Sequence, residues 1–353
     1  MKIIVLAAGS SPERDVSIVS GTGVCTALRS LGHEAILVDA FFGAPDADPA
    51  TAFSGEYDVE AAAAAMRADT ARVAEESRRK DRPFFGPQVL ALCMAADIVF
   101  LTLHGANGED GRVQAAFDLF RIPYTGTDYI SSANAMDKTR TKQIFLSCDV
   151  PTPKGYTVRR GQEGADAASI LKKMQLPLIV KPPCGGSSIG VTICHTEKEL
   201  EDGLALSFDL EEEAVIEEFI QGRELTAAVL GDTAYPVVEI IPREGFYDYT
   251  NKYEPGKTIE VCPAESPEEK TRELQAIALR AAKALGIQAY ARFDFIMDEE
   301  GGLYCLEGNT LPGMTPTSLV PLEAKTLGMS FPELCQKMID LSLEKYSTGE
   351  NNT

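Results

Sequence analysis

The chain has 353 residues, a formal net charge of −20 and 44% hydrophobic residues, which is enough for two or three domains and too apolar for wholesale disorder. The acidic balance argues against broad nucleic-acid binding, which needs a basic surface. No apolar run approaches the ~20 residues that cross a bilayer, and the first residues lack a secretory pattern. We therefore expect a cytoplasmic protein without nucleic-acid or membrane partners.

The N-terminal third alternates apolar strands with helices. The strands are expected at 2–8, 35–40 and 97–105, and the helices at 16–31 and 112–120, with residues 122–128 following the second helix. This alternation predicts an α/β fold with a doubly wound parallel sheet. Ligands of such sheets bind beyond the carboxyl ends of the strands, where the chain has polar loops at 9–17 and 104–111.

Residues 43–93 separate the second and third predicted strands and form an unusually long connection. Their alanine run and their charge pairs at i,i+4 spacing indicate a solvated helix. We interpret this segment as a helical insertion on the rim of the first domain, away from the chemistry. The organisation changes near residue 135, where a new helix is expected from about Asp137 to before Pro151.

A glycine- and serine-rich loop follows an apolar strand that ends in Lys181. Small residues let backbone N–H groups approach phosphate oxygens, and the lysine supplies positive charge. The lysine precedes the glycines, so this is not the Walker pattern. For this loop alone an ordinary glycine-rich hairpin fits equally well. The apolar strand at 214–222 ends in a break that suits a hinge where adenine meets backbone groups.

The polar residues of 291–319 fall at strand spacing. Arg292 and Asp294 are two residues apart, as are Glu307 and Asn309, so each pair shares one face of a strand. The intervening DEEGG predicts an antiparallel hairpin, on which three oxygen ligands suit Mg²⁺ and Arg292 can stabilise negative charge. The alternative is a half-buried hairpin with a solvated polar face. Because Asp and Asn are unfavourable in strands, a purely structural role does not explain this cluster.

Eight motifs together resemble those of a known family. In chain order they are ERDVS, HGANGEDG, MDKTRTK, IVKPPCGGSSIG, IEEFIQGRE, FYDYTNKY, RFDF and LEGNTLPGMT. Over about residues 2–337 the chain resembles the D-alanine–D-alanine ligases of the ATP-grasp superfamily. The resemblance implies a three-domain ATP-grasp fold. Its parts are an N-terminal substrate domain at 1–135, a central ATP-grasp subdomain at 136–222, a C-terminal ATP-grasp subdomain with the metal site at 223–345, and a disordered tail at 346–353.

The resemblance also implies roles for residues that match the family motifs. The implied ATP-binding residues are Lys138 and Lys181 at the phosphates, Glu217 and Ile220 at the adenine, Glu224 at the ribose, and Ser188. The implied ligands of two Mg²⁺ ions, which Mn²⁺ can replace, are Asp294, Glu307 and Asn309. The implied catalytic residues are Glu13, Ser187, Tyr253 and Arg292. The implied substrate-binding residues are His104, Lys252, Gly313 and Ser318.

The implied reaction joins two D-alanine molecules with ATP through an acylphosphate, as in peptidoglycan synthesis, and the implied assembly is a homodimer. The polar and aromatic segment 246–253 is expected to act as a lid that excludes water. The resemblance implies that Tyr253, preceded by Lys252, favours dipeptide formation over ester formation. Two alternatives stay open: a sister ligase that uses D-serine or D-lactate as acceptor, and a nucleotide-binding homologue that no longer catalyses.

Overall fold

The computed structural model describes residues 1–243 and 256–347. The helices among these residues are α1 (Arg14–Ser30), α2 (Val59–Asp69), α3 (Val73–Glu76), α4 (Val89–Met94), α5 (Arg112–Phe120), α6 (Tyr129–Met136), α7 (Lys138–Ser147), α8 (Ala167–Leu171), α9 (Glu197–Leu210), α10 (Glu268–Leu285), α11 (Leu319–Thr326) and α12 (Phe331–Ser347), with a 3₁₀ turn at Thr70–Arg72. The strands are β1 (Lys2–Ala7), β2 (Glu34–Asp39), β3 (Ile98–Leu101), β4 (Gly155–Arg159), β5 (Leu178–Lys181), β6 (Thr192–Cys194), β7 (Glu213–Glu218), β8 (Gly222–Leu230), β9 (Thr233–Ala234), β10 (Val238–Pro242), β11 (Thr258–Val261), β12 (Tyr290–Asp298) and β13 (Leu303–Asn309).

The N-terminal sheet is parallel, with strand order β2-β1-β3. Ile3 and Val5 of β1 belong to a core shared with α1 and α12, whereas Ile4 and Leu6 pack on the opposite side in a core shared with α4 and α5. Because successive side chains of a strand point to opposite faces, both faces of the sheet are covered. This explains the nearly continuous apolar runs and confirms the predicted α/β class.

Residues 122–128 add no full strand to this sheet. Val99 and Tyr124 form an isolated parallel bridge, in which the Val99 amide donates to the Pro123 carbonyl over 2.8 Å. The Thr125 amide returns a hydrogen bond to the Val99 carbonyl over 2.9 Å. The next amide of β3, that of Leu101, donates to the Thr125 hydroxyl and not to a backbone carbonyl, so the backbone ladder ends at this bridge. The helix before this segment, α5, has the bounds that its sequence pattern predicts.

The insertion at 43–93 contains the helix α2, one side of which packs against the N-terminal core. In α2 the side chains of Ala63 and Met66 are buried and pack in the same core as α1. Asp58 caps the helix by accepting from the Ala61 amide over 2.9 Å. The rest of α2 is largely exposed, which explains the polar residues of the segment. The two cavities described below include no residue of the insertion among their linings.

The remaining sheets among the described residues are antiparallel. One has the strand order β4-β7-β5-β6, and the other has the order β11-β10-β8-β12-β13, with β9 beside β8. The predicted hairpin is confirmed as β12 and β13. Arg292 lies opposite Asn309, Asp294 lies opposite Glu307, and the register shifts after Asp294. This pairing places all four polar side chains at one end of the hairpin.

The last described helix, α12, continues to Ser347, so residues 346 and 347 belong to the fold and not to the expected tail. Tyr346 Oη accepts from the Tyr124 amide over 3.0 Å, and Lys345 Nζ donates to the Gly126 carbonyl over 2.6 Å. The predicted lid, including Lys252 and Tyr253, lies outside the described residues. Of the helices that the structure describes, none has both the length and the apolar character that crossing a membrane requires.

Candidate active site

Two cavities adjoin at the hairpin end of the C-terminal sheet. The first cavity contains the predicted residues Glu13, His104, Arg292, Asn309, Gly313 and Ser318. The second cavity contains the predicted residues Lys181, Ser188, Glu217, Ile220, Glu224 and Asp294. Lys138, Gly185, Ser187 and Glu307 line both cavities. These four residues form a shared wall, so a group bound at this wall is accessible from both sides.

Asp294 accepts several hydrogen bonds at one end of the hairpin. Arg292 approaches it in a bidentate manner, with Nε 2.9 Å from Oδ1 and Nη2 2.8 Å from Oδ2. Asn309 Nδ2 donates to Oδ2 over 3.0 Å. From the neighbouring strand β8, Thr226 Oγ1 donates to Oδ1 over 2.7 Å. The structure therefore brings together Arg292, Asp294 and Asn309, as the strand spacing predicts.

The hairpin offers a limited set of metal ligands. Asp294, Glu307 and Asn309 contribute two carboxylates and one amide. Within residues 1–243 and 256–347 no group of three or more His, Cys, Asp or Glu side chains is placed to hold a metal ion. Mg²⁺ commonly binds through one or two carboxylates and completes its shell with water and substrate phosphates. These residues fit an ion shared with a phosphate ligand.

Replacing Thr226 by valine is expected to destabilise the protein. Thr226 is fully buried, so valine fills the same space but removes the hydroxyl that donates to Asp294. Loss of a hydrogen bond to a charged group costs about 1.5–3 kcal/mol. Chemical denaturation should show this decrease in the free energy of unfolding. A matched change, Thr233→Val at an exposed position of β9, tests whether any lost threonine hydroxyl has the same effect.

Two predicted lysines lie at the cavities, and each pairs with a carboxylate. Lys138 Nζ is 3.2 Å from Glu307 Oε2 and donates to the Gly185 carbonyl over 2.7 Å. Burial alone would lower the pKa of Lys138, but the Glu307 carboxylate raises it above the ordinary value. Lys181 Nζ is 2.6 Å from Glu217 Oε2. Lys138 is therefore protonated at the shared wall, where anionic ligand groups would gather.

The loop between β5 and β6 has an unusual backbone. Ser187 and Ser188 have φ angles of 49° and 59°, in the left-handed region that few residues other than glycine adopt. Such strain tends to collect at ligand-binding sites. The Ser187 hydroxyl donates to Glu13 Oε1, which joins this loop to the loop after β1. Residues 174 positions apart in the sequence thus meet in the first cavity.

His104 lies in the first cavity as a neutral imidazole. Its side chain is 7% exposed, and burial lowers its pKa, with the Arg292 charge acting in the same direction against the opposing effect of Glu13. His104 Nε2 has no hydrogen-bond partner among the residues that the structure describes. Because an orphaned buried nitrogen is costly, this atom is suited to contact a polar ligand.

Glu109 is a cavity residue that the sequence interpretation did not single out. It is half-buried, it lines the first cavity, and its Oε2 accepts from the Gly105 amide over 2.7 Å. Burial, and secondarily the nearby Glu13, raise the pKa of Glu109 to about 8. The only signal in the sequence is its place inside HGANGEDG, which does not show that the carboxyl is withdrawn from water.

This raised pKa predicts a pH dependence of stability. Below an ordinary glutamate pKa of ~4.3 the carboxyl is protonated in both states. Between that value and about 8 only the folded protein keeps the proton, so the free energy of unfolding falls as pH rises through this interval. Glu109→Gln cannot ionise and should flatten this slope. Chemical denaturation at pH 5 and pH 8 measures the change in the free energy of unfolding between these two pH values. An equal change in the wild type and in Glu109→Gln would contradict the raised pKa of Glu109.

Gly313 and Ser318 close the first cavity beneath the hairpin. Ser318 Oγ accepts from the Thr315 amide over 2.9 Å. A Cβ atom at position 313 would come within 2.8 Å of the same hydroxyl. Glycine is therefore needed for this close approach, and it leaves the backbone accessible to a ligand.

Comparison with known protein families decides the relationship. Residues 2–127 match the family model described as D-ala D-ala ligase N-terminus. Residues 144–340 match the one described as D-ala D-ala ligase C-terminus. The chain belongs to the D-alanine–D-alanine ligase family. This family comprises ATP-dependent ligases involved in peptidoglycan synthesis, which confirms the enzyme class that the motifs indicate.

Curated members of the D-alanine–D-alanine ligase family match nearly the whole chain. The D-alanine–D-alanine ligase of Pediococcus pentosaceus is 38% identical, with 96% of this chain and 97% of the relative covered. The one of Halalkalibacterium halodurans is 39% identical, with 98% and 100% covered.

Solved structures of relatives share the fold. The D-alanine–D-alanine ligase of Bacillus anthracis has a TM-score of 0.75 at 30% identity, and 99% of each chain is covered. The VanG D-Ala:D-Ser ligase of Enterococcus faecalis has a TM-score of 0.76 at 29% identity, with 97% of this chain and 99% of that chain covered. The two relatives differ in their named acceptor, so similarity alone does not determine the acceptor of this chain.

Proposed function

We propose that this protein joins two D-alanine molecules at the expense of ATP, through an acylphosphate intermediate, to make D-alanyl-D-alanine for peptidoglycan synthesis. The observation that supports this most directly is the wall between the two cavities. Lys138, Ser187 and Glu307 border both cavities. A terminal phosphate at this wall would therefore face a carboxylate held in the first cavity, as phosphoryl transfer requires.

The second cavity is the proposed ATP site. Ile179, Val191 and Ile220 supply apolar surface for a base, and Lys138 and Lys181 supply positive charge for the phosphates. A relative from Bacillus anthracis, solved in complex with ATP, has a TM-score of 0.74 at 30% identity over 99% of this chain and 98% of that chain. Glu217, Ile220, Glu224 and Ser188 keep their proposed roles in holding adenine, ribose and phosphate.

Asp294, Glu307 and Asn309 are the proposed ligands of two Mg²⁺ ions, which Mn²⁺ can replace. When bound, these ions would neutralise the phosphate charge that repels an anionic nucleophile. Lys138 and Lys181 contribute to the same neutralisation from the protein side. In the described structure their pairs with Glu307 and Glu217 hold both ammonium groups in place.

The first cavity is the proposed site for both amino acids. Glu13 orients the ammonium group of the first D-alanine, with His104 beside it. The carboxylate of this D-alanine attacks the γ-phosphorus of ATP, giving the acylphosphate and releasing ADP. The amine of the second D-alanine then attacks the acyl carbon, loses its proton, and phosphate leaves. Ser318, together with Lys252 outside the described residues, would hold the carboxylate of the second D-alanine.

Two features of the cavity serve the intermediate. Arg292 and the Gly313 N–H group would stabilise the oxyanion that forms when the amine attacks. The Ser187–Glu13 hydrogen bond closes the cavity on the N-terminal side, which would limit hydrolysis of the acylphosphate by water. Tyr253, also outside the described residues, is proposed to complete this closure.

An acceptor competition tests the proposal. Phosphate release and product identity would be measured with Mg²⁺-ATP and D-alanine, alone and with equal D-serine or D-lactate. We expect D-alanyl-D-alanine as the main product near neutral pH. D-alanyl-D-serine as the main product would favour the second candidate function, a ligase that uses D-serine as acceptor. The similarity to the D-Ala:D-Ser ligase supports this candidate. Absence of phosphate release with every acceptor would support the non-catalytic alternative. The homodimer and the cytoplasmic location stay predictions.

Glu13→Gln is expected to weaken binding of the first D-alanine selectively. The change keeps the size of the side chain and its contact with Ser187 but removes the charge that attracts an ammonium group. A charge-assisted hydrogen bond contributes about 1.5–3 kcal/mol, so KM for the first D-alanine should rise ~10- to 100-fold. KM for ATP should change little. Equal increases in both constants would indicate a general loop defect.

A further inference from the structure

Lys142 is a buried charged residue to which the proposed mechanism gives no role. It follows Lys138 by one turn of α7, and it is 6% exposed. Its Nζ atom is 2.8 Å from Glu217 Oε1, and it also donates to the Pro153 carbonyl and to Thr152 Oγ1 over 3.3 Å. Lys142 lines neither cavity, so its three N–H groups serve the protein itself.

Glu217 is shared between two lysines. Its Oε1 atom is paired with Lys142, and its Oε2 atom is paired with Lys181. Burial alone would raise the pKa of Glu217, but the charges of Lys181 and Lys142 together lower it below its ordinary value. The carboxylate is therefore ionised. Burial lowers the pKa of Lys142, against the opposing effect of the Glu217 carboxylate. With both lysines protonated, the formal charge of the cluster is +1.

We propose that Lys142 is a positioning residue of the nucleotide site, which holds Glu217 and balances its charge so that Lys181 keeps its attraction for the phosphates. This inference rests on the proposed ATP site in the second cavity. Without Lys142, the Glu217 carboxylate would neutralise Lys181, and the cluster would present no net charge to an anion. The carbonyl of Pro153, which lines the second cavity, accepts a hydrogen bond from Lys142 Nζ and helps to hold this side chain in place.

The affinities for adenosine and for Mg²⁺-ATP separate this electrostatic role from a packing role. Lys142→Met keeps most of the side-chain volume and removes the charge. We expect the dissociation constant for ATP, measured by calorimetry, to rise about tenfold or more, as loss of one nearby charge implies. The constant for adenosine should stay within about twofold. The matched control Thr152→Val removes a neutral partner of Lys142 and should leave the ATP-to-adenosine affinity ratio unchanged.

Changes at Glu217 provide a rescue test. In the double variant Lys142→Met with Glu217→Gln, the charge of the cluster returns to +1, so the affinity ratio should return toward the wild-type value. Glu217→Gln alone leaves two lysines without a carboxylate, so its ratio should equal or exceed that of the wild type. This variant retains Lys142 and tests the charge argument even if Lys142→Met does not fold. Effects on adenine contacts cancel in the ratio.

Each outcome distinguishes the inference from the proposed function. Equal losses of adenosine and ATP affinity in Lys142→Met, or a double variant with no rescue, would overturn the role of Lys142 while the ATP site stands. A fall in the ratio in Glu217→Gln alone would overturn it as well. Wild-type protein that binds no ATP would overturn both the proposed function and the inference.

Discussion

Glu307→Ala is expected to abolish ATP-dependent ligation while the protein stays folded. Glu307 lies at the end of β13, lines both cavities and pairs with Lys138. The substitution removes one of the two carboxylates proposed as Mg²⁺ ligands and leaves Lys138 without this partner. Metal-ion stabilisation of charge contributes several kcal/mol, so kcat should fall ~10³-fold or more. Phosphate-release kinetics with Mg²⁺-ATP and D-alanine measure the effect.

Glu300→Ala is the matched control for Glu307→Ala. Glu300 lies in the turn of the same hairpin, is exposed and lines neither cavity. This variant should keep wild-type turnover. Thermal unfolding should show that both variants fold. Turnover near the wild-type level in Glu307→Ala would contradict the metal assignment.

Arg292→Lys is expected to lower kcat ~10²- to 10³-fold, the usual cost of losing one oxyanion donor. Arg292 holds Asp294 with two parallel hydrogen bonds, through Nε and Nη2. Lysine keeps the positive charge but lacks the planar fork of the guanidinium, so it cannot both hold Asp294 and reach an oxyanion. The loss should appear in single-turnover rates at saturating ATP and D-alanine.

Arg280→Lys provides the comparison for Arg292→Lys. Arg280 is exposed on α10 and donates to the Asp149 carbonyl over 2.6 Å, away from both cavities. Its replacement should leave the rates unchanged. If Arg292→Lys raised KM for ATP and left kcat intact, Arg292 would act in nucleotide binding and not on the intermediate.

The hairpin could be predicted from the sequence because its information is local. Strand alternation alone places Arg292 beside Asp294. The turn sets Phe295 opposite Cys305, and only the register shift after Asp294, which the sequence pattern does not show, brings Asp294 opposite Glu307. The approach of the loops that carry Glu13 and Ser187 could not be derived from spacing, since it depends on how the domains pack. For those residues the family motifs supplied the expectation.

Burial is what the sequence pattern did not show. Lys142 follows Lys138 in a polar stretch of sequence, and this pattern alone indicates a solvent-exposed face of a helix. The structure instead buries the Lys142 side chain against Glu217. Ala63 gives a weak hydrophobic signal in an alanine run, although it packs fully in the core. Both observations have one cause, because helix periodicity reports which residues are apolar and not which neighbour covers them.

The hydrogen bond from Ser187 to Glu13 has a thermodynamic consequence. This bond joins the loop between β5 and β6, which carries Ser187, to the loop after β1, which carries Glu13. Whatever orders one of these loops therefore changes the free energy of ordering the other. Linkage makes such an effect reciprocal: if ATP strengthens the binding of the first amino acid by some factor, that amino acid must strengthen ATP binding by the same factor. The protein would then retain each ligand longest when both are present, without any further contact between the ligands themselves.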